Sequence, residues 1–334
     1  MVGVVSAGSA GDVVVNTGQC AQCMTGAPIP QGADAIVMVE YSSGYESGTE
    51  VEMYTEVQAG QHIRRVGEEI KSGEVLVNNG SCITTAELGT LATFGYKDFL
   101  VYRKPRLAIF ATGDELVEPG NDLLPGQIYN SNLYVFEDLV RRASAEVILK
   151  SIIRDDQASL EAFLTDAFYS CDMIISSGGV SMGKFDYVRD VLMELNVKEH
   201  FWKVAQKPGK PLFFGSRGKA LIFGLPGNPV SAFIGFMEYV WPVLEIMSGQ
   251  TRSSTLSAVL DEPFPREKEK TRYLFGNTWS EDGQLICAPT KKVGSHMLTS
   301  SLEANCIIIA EPGNKPLMKG DQIRVRLLPW KSIT

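Results

Sequence analysis

Histidine is nearly absent from this chain: His62, His200 and His296 are the only three in 334 residues. That scarcity argues against histidine-rich metal chemistry, and no spacing of Ser, His and Asp or of Cys and His suggests an activated nucleophile. Clustered cations are also lacking. With 31 Lys and Arg against 39 Asp and Glu, the formal charge is −8, so a nucleic-acid partner held by counterion release is not expected. The six cysteines are spread along the whole length, unlike the dense spacing of a disulfide scaffold. Only Cys20 and Cys23 form a C-x-x-C, without the second pair or nearby histidine that a zinc site needs. They read as small residues of a half-buried strand. No apolar run reaches the length of a bilayer span, and no basic residue precedes Met1-Val2-Gly3-Val4-Val5 as in a signal peptide. A cytoplasmic protein without a membrane span is the simplest expectation.

What is present is the mixture of a globular protein, 44% apolar and 21% charged, in a chain long enough for two or three domains. Its organising stretch is residues 173–187, MIISSGGVSMGKFDY. Met173-Ile174-Ile175 fits a buried strand, and Gly178-Gly179 fits a tight turn that lets backbone approach a ligand. The spacing of Phe185, Val188, Val191, Leu192 and Leu195 predicts a helix whose first N–H groups face an anion. Residues 178–184 match the start of a P-loop pattern, but Phe185 stands where a hydroxyl must meet Mg²⁺, which excludes a Walker-type nucleotide triphosphatase.

Four segments are expected. Residues 1–61 read as a β-rich module with short strands at 13–15, 35–39 and 51–54, and residues 62–103 as a linker with a short helix after Thr84. Residues 104–249 alternate strands (106–111, 146–153, 172–176, 201–204, 212–214, 220–223) with helices (132–145, 159–171, 185–195, 229–249). That alternation predicts an α/β, doubly wound and mostly parallel sheet. Residues 250–334 return to short strands and predict a small C-terminal β-barrel domain.

In open α/β sheets, ligands bind beyond the carboxyl ends of the strands. There the chain places Gly113, Glu115, Asp155, Ser177, Gly178, Gly179, Ser181, Lys207, Lys210, Pro226 and Asn228. Three carboxylates, Glu115, Asp155 and Asp186, would repel one another in one crevice unless a hard divalent cation such as Mg²⁺ sat between them. Lys203 and Lys207 are four apart on a segment read as extended, hence on one face, with Lys210 just beyond. The residues therefore point to a polyanionic, phosphorylated small molecule held between a carboxylate-bound metal and lysines. Cleavage of a phosphoanhydride there needs positioning and charge neutralisation rather than a nucleophile.

The motifs Thr112-Gly113-Asp114-Glu115-Leu116, Ile153-Arg154-Asp155-Asp156, Ser176-Ser177-Gly178-Gly179-Val180-Ser181-Met182-Gly183, Lys207-Pro208-Gly209-Lys210-Pro211 and Gly224-Leu225-Pro226-Gly227-Asn228-Pro229-Val230-Ser231 together resemble the molybdopterin molybdenumtransferase family, MoeA and the gephyrin E domain. Met24-Thr25-Gly26-Ala27-Pro28 and Ile63-Arg64-Arg65-Val66-Gly67 resemble upstream motifs of the same family. The resemblance implies insertion of molybdate into adenylylated molybdopterin, with Mg²⁺-dependent release of AMP. It implies that Glu115, Asp155 and Asp186 serve metal and substrate, that Lys203 and Lys207 hold anions, and that Thr25, Arg272 and Ser295 line the site. It further implies a homodimer in which Thr25 faces the other chain's crevice. The family's N-terminal helical segment and its S-x-M-D-G-Y-A motif do not occur in the sequence. This leaves either a piece of a longer chain or a homologue without that aspartate and part of its dimer arm. The alternative function is a catalytically impaired, gephyrin-like scaffold that binds a peptide or protein partner.

Overall fold

The computed structural model describes residues 1–45, 48–154, 156–179, 187–250 and 255–333. Two compact units result, Met1–Asn78 and Asn79–Thr334. In the first, β pairing is short: β1 (Val4–Val5) lies parallel to β2 (Gln22–Cys23), and single bridges join Val14 to Gln31 and Ser42 to Met53. The strand expected at 35–39 is replaced by a chain that ends in a 3-10 turn at Val39–Tyr41. Its apolar residues stay partly exposed, so no buried face rewards strand pairing. Cys20 and Cys23 are free and half-buried, as the strand reading expects for Cys23 on β2.

The second unit opens with α1 (Thr85–Thr93), started by a capping box in which the Thr84 hydroxyl accepts from the Ala86 N–H and Glu87 accepts from the Thr84 N–H. There follow β3 (Arg106–Thr112), the short parallel pair β4 (Leu116–Val117) and β5 (Ile128–Tyr129), α2 (Asn132–Arg142), β6 (Glu146–Ile153), α3 (Gln157–Ser170) and β7 (Met173–Ser177). Next come α4 (Val188–Glu194), β8 (Lys198–Trp202), β9 (Gln206–Lys207), β10 (Phe213–Arg217), β11 (Ala220–Leu225) and α5 (Pro229–Met247). The main sheet has the order β6-β3-β7-β11-β10-β8, with β6, β3, β7 and β11 parallel and β10 antiparallel to both neighbours. Both faces of the sheet's centre are covered, so β3, β7 and β11 carry continuous buried runs, while the edge strand β6 alternates. Met173 and Ile175 of β7 face α2 and α5, while Ile174 faces α3 and α4.

By length and composition α5 is itself apolar enough to cross a bilayer, at mean hydropathy 1.4, contrary to the expectation that no such run exists. Its place explains the composition: the run is 72% buried inside the unit, against the sheet on one side and the barrel on the other. Midway, residues 236–240 form a π turn in which the Trp241 N–H reaches the Phe236 carbonyl. Pro242 lacks the N–H that would bond the Glu238 carbonyl, so the wider turn absorbs a break the chain imposes anyway.

The barrel consists of β12 (Leu256–Leu260), β13 (Thr271–Glu281), β14 (Gln284–Pro289), β15 (Cys306–Ala310) and β16 (Gln322–Leu327). Their order is β14-β12-β16-β15-β13, and β13 pairs back onto β14, which closes five strands. Every residue of β15 is buried because the strand has no solvent face. Ile308 and Ala310 fill the barrel, while Ile307 and Ile309 join Phe275 and Phe233 in the core under α5. The barrel and the α/β layer therefore share one continuous core.

Candidate functional site

Three strands of the main sheet end at the same level. Ser177 of β7 pairs in register with Ala111 of β3 and Leu225 of β11. The turns that follow, Thr112-Gly113, Gly178-Gly179 and Pro226-Gly227-Asn228, therefore leave the carboxyl edge side by side. Gly178 and Gly179 adopt φ of 87° and 70°, a region that a side chain disfavours. A Cβ on Gly179 would lie 2.2 Å from Val188 Cγ2, so the turn is close-packed from beneath. The buried Asn132 at the start of α2 ties two turns together, its Nδ2 donating to Ser177 Oγ and to the Gly227 carbonyl, each at 2.7 Å.

The cationic wall comes from an unexpected pairing. β9 leaves the α/β layer and adds in parallel to the barrel strand β13, which sets Lys207 opposite Arg272. The Glu267 Oε1 accepts from Lys207 Nζ at 2.7 Å and from Arg272 Nη1 at 3.1 Å. That contact with Lys207 holds the Glu267 carboxyl below its ordinary range. The Arg272 side chain is only 11% exposed, and its buried Nε has no hydrogen-bond partner among the described residues. Ser295 is held near by its carbonyl, which accepts from the Val230 N–H in the first turn of α5 at 3.1 Å.

Behind Lys207, Gln206 is 2% exposed, and its Nε2 donates to the Gly209 carbonyl. Tyr239, turned toward it by the π turn, donates its hydroxyl to Gln206 Oε1 at 2.8 Å. Burial pushes the Tyr239 hydroxyl up to about 12, so it remains a donor throughout the neutral range. Tyr239→Phe leaves the Gln206 oxygen buried without a donor and should cost about 1–3 kcal/mol. Urea unfolding measures this; an unchanged midpoint would show the bond to be inconsequential.

Together these elements enclose a cleft of about 1080 Å³. Of the residues expected from sequence, Glu115, Ser177, Gly178, Gly179, Lys207, Pro226, Asn228, Arg272 and Ser295 line it. Lys203 does not. Its Nζ sits 3.8 Å from the centroid of the Trp202 ring, and its φ of 72° breaks the extended run that was to align it with Lys207. Lys210 is not in the lining either; its carbonyl accepts from the Val204 N–H. Thr25 belongs to the first unit, exposed in a turn where the Ala27 N–H donates to the Met24 carbonyl and Gly26 takes φ 81°. Asp155, Ser181, Asp186 and the expected helix start at Phe185 lie outside the described residues. Among the described residues, no group of three or more His, Cys, Asp and Glu side chains could hold a metal ion. Sequence reasoning missed Asn132, Glu267 and the apolar wall of Ile128 and Tyr129. Asn132, Ile128 and Tyr129 belong to no glycine-rich or charged motif, and Glu267 sits in the charged run 266–270, which reads as a solvated surface segment.

Three family models match the chain along its length. Residues 2–95 match the MoeA N-terminal region (domain I and II), residues 108–246 a probable molybdopterin binding domain, and residues 257–328 the MoeA C-terminal region (domain IV). The molybdopterin molybdenumtransferase of Haemophilus influenzae is 34% identical over 90% of this chain and 75% of its own length. That of Bacillus subtilis is 32% identical over 99% and 80%. Among solved structures, the molybdopterin biosynthesis MoeA protein from Pyrococcus horikosii superposes with a TM-score of 0.81 at 29% identity, covering 97% of this chain and 80% of that one.

Proposed function

The chain belongs to the molybdopterin molybdenumtransferase family, and from that premise we propose that it inserts molybdate into adenylylated molybdopterin with release of AMP, a step in molybdenum cofactor biosynthesis. One observation carries the reading: the buried Arg272 Nε lacks a partner among the described residues, in a cleft that Lys207 and Ser295 also line. A buried donor without an acceptor is costly, and a charged oxyanion is the acceptor that a guanidinium and an ammonium bind most strongly. At the sheet edge, the Gly178-Gly179 turn permits a phosphate to approach the backbone closely. Ile128 and Tyr129 offer an apolar wall to a planar heterocycle.

Mg²⁺ belongs to this proposal. Glu115 supplies an oxygen ligand of the kind that ion takes, and with Asp155 and Asp186 it would hold the ion, which neutralises charge on the phosphate oxygens. The protein's own residues do the rest: Lys207 and Arg272 bind and orient the oxyanion, while Asn132 fixes the turns that hold the phosphates. A homodimer in which Thr25 serves the partner's cleft, and a cytoplasmic location, are part of the same reading and rest on the family resemblance. Nothing in the comparisons supports the scaffold alternative.

Incubation with adenylylated molybdopterin, molybdate and Mg²⁺ should release AMP. Asp155→Ala or Asp186→Ala should slow release by about 10²-fold or more, given several kcal/mol of lost charge stabilisation. Glu161→Ala, on the exposed face of α3, serves as control. Absence of AMP from the unaltered protein refutes the function, and equal rates in all variants remove the carboxylates from it.

A further inference from the structure

Glu267 occupies a specific place. A single oxygen, Oε1, accepts from both Lys207 and Arg272, so it stands where an oxygen of a bridging oxyanion would have to stand. Its backbone is fixed, with the Gly313 N–H donating to the Glu267 carbonyl at 2.9 Å. The side chain, by contrast, is 31% exposed and can swing toward water without disturbing that anchor. Two anions cannot share the position: like charges at hydrogen-bond distance repel, and neither cation would be fully paired.

Taking the cleft as the oxyanion site proposed above, we infer that Glu267 is its resident competitor, a carboxylate that pairs the Lys207 and Arg272 cations in the empty site and must be displaced for molybdate to enter. The resting pair spares the protein two unpaired cations facing the cleft. The consequence is a higher threshold for capture: an oxyanion has to exchange with a charged group already in place, so its apparent affinity is reduced by the strength of the Glu267 contacts. A displaced competitor lowers the affinity of every oxyanion by the same factor, whatever the oxyanion's identity.

The test is calorimetric titration of the full chain with molybdate and, separately, with sulfate, for the unaltered protein, Glu267→Gln and Arg272→Gln. Glutamine keeps the acceptor oxygen, so the fold of the loop is retained, but it lacks the charge that competes. Glu267→Gln should tighten both anions by about tenfold, the order of one charge-assisted hydrogen bond, and by the same factor for each. Arg272→Gln should abolish binding of both. Equal or weaker binding by Glu267→Gln, or a gain confined to one anion, overturns the role of Glu267 while Arg272→Gln still shows the site to be real. Absence of binding by both the unaltered protein and Glu267→Gln overturns the oxyanion site and the competitor with it.

Discussion

Gly179→Ala should distort the Gly178-Gly179 turn proposed to face a phosphate and cost about 2–5 kcal/mol of stability. The cost has two sources. At φ 70° a Cβ is strained by about 1–2 kcal/mol, and here it would also lie 2.2 Å from Val188 Cγ2 and 2.9 Å from Thr112 Oγ1. Val188, the first residue of α4, is fully buried and cannot step aside without opening the core, which adds an overpacking cost of about 1–3 kcal/mol. Gly218→Ala separates the two, because Gly218 also has positive φ, 59°, but no atom within 4 Å of an added Cβ. It should cost about 1 kcal/mol. Urea unfolding and AMP release measured on both variants check the difference. Equal losses would show that the close packing under the turn has no energetic consequence.

Glu238→Ala should be comparably severe although it touches no cleft residue. Glu238 and Arg326 are each 9% exposed and meet at 2.7 Å, joining α5 to the barrel strand β16. Removing the carboxylate deprives a buried guanidinium of its ion-pair partner, a change that costs about 3–5 kcal/mol. Replacing both partners, as Glu238→Leu with Arg326→Met, should restore most of the loss, since the pair itself contributes little beyond its desolvation. Because the pair clamps the barrel, whose strand β13 carries Arg272 and pairs with Lys207, against the layer whose turns line the rest of the cleft, Glu238→Ala should also slow AMP release, and the double variant should recover it. A double variant as unstable as the single would contradict this account of the clamp.

Much of the architecture is legible along the chain because its signals are local. The runs at 107–111 and 173–175 are apolar throughout, as strands buried on both faces must be. The glycine pair at 178–179 marks the turn whose backbone only glycine adopts easily. The loops after the strands brought Glu115, Ser177 and Asn228 into one list, the family resemblance added Arg272, and the cleft contains all four. What could not be read depends on distant partners. Lys207 meets Arg272 only because two residues leave one sheet for another, and a two-residue strand has no periodicity to detect. The same detour turns the chain at Lys203 and sends its ammonium to Trp202, where the extended-strand rule had aligned it with Lys207. The apolar run at 35–39 has strand composition without a buried face to serve. In α5, length and hydropathy suit a bilayer, and only the surrounding barrel and sheet show why so apolar a helix is needed.

The oxyanion end of the cleft is tested most directly by diffraction from crystals soaked in tungstate, a heavy tetrahedral analogue of molybdate whose anomalous signal locates it without ambiguity. The peak should fall where the tungstate oxygens reach Arg272 Nε and Lys207 Nζ at hydrogen-bond distance, with the Glu267 carboxylate displaced from between the two cations. A peak at any other place, with Glu267 still paired to both cations, would contradict the account.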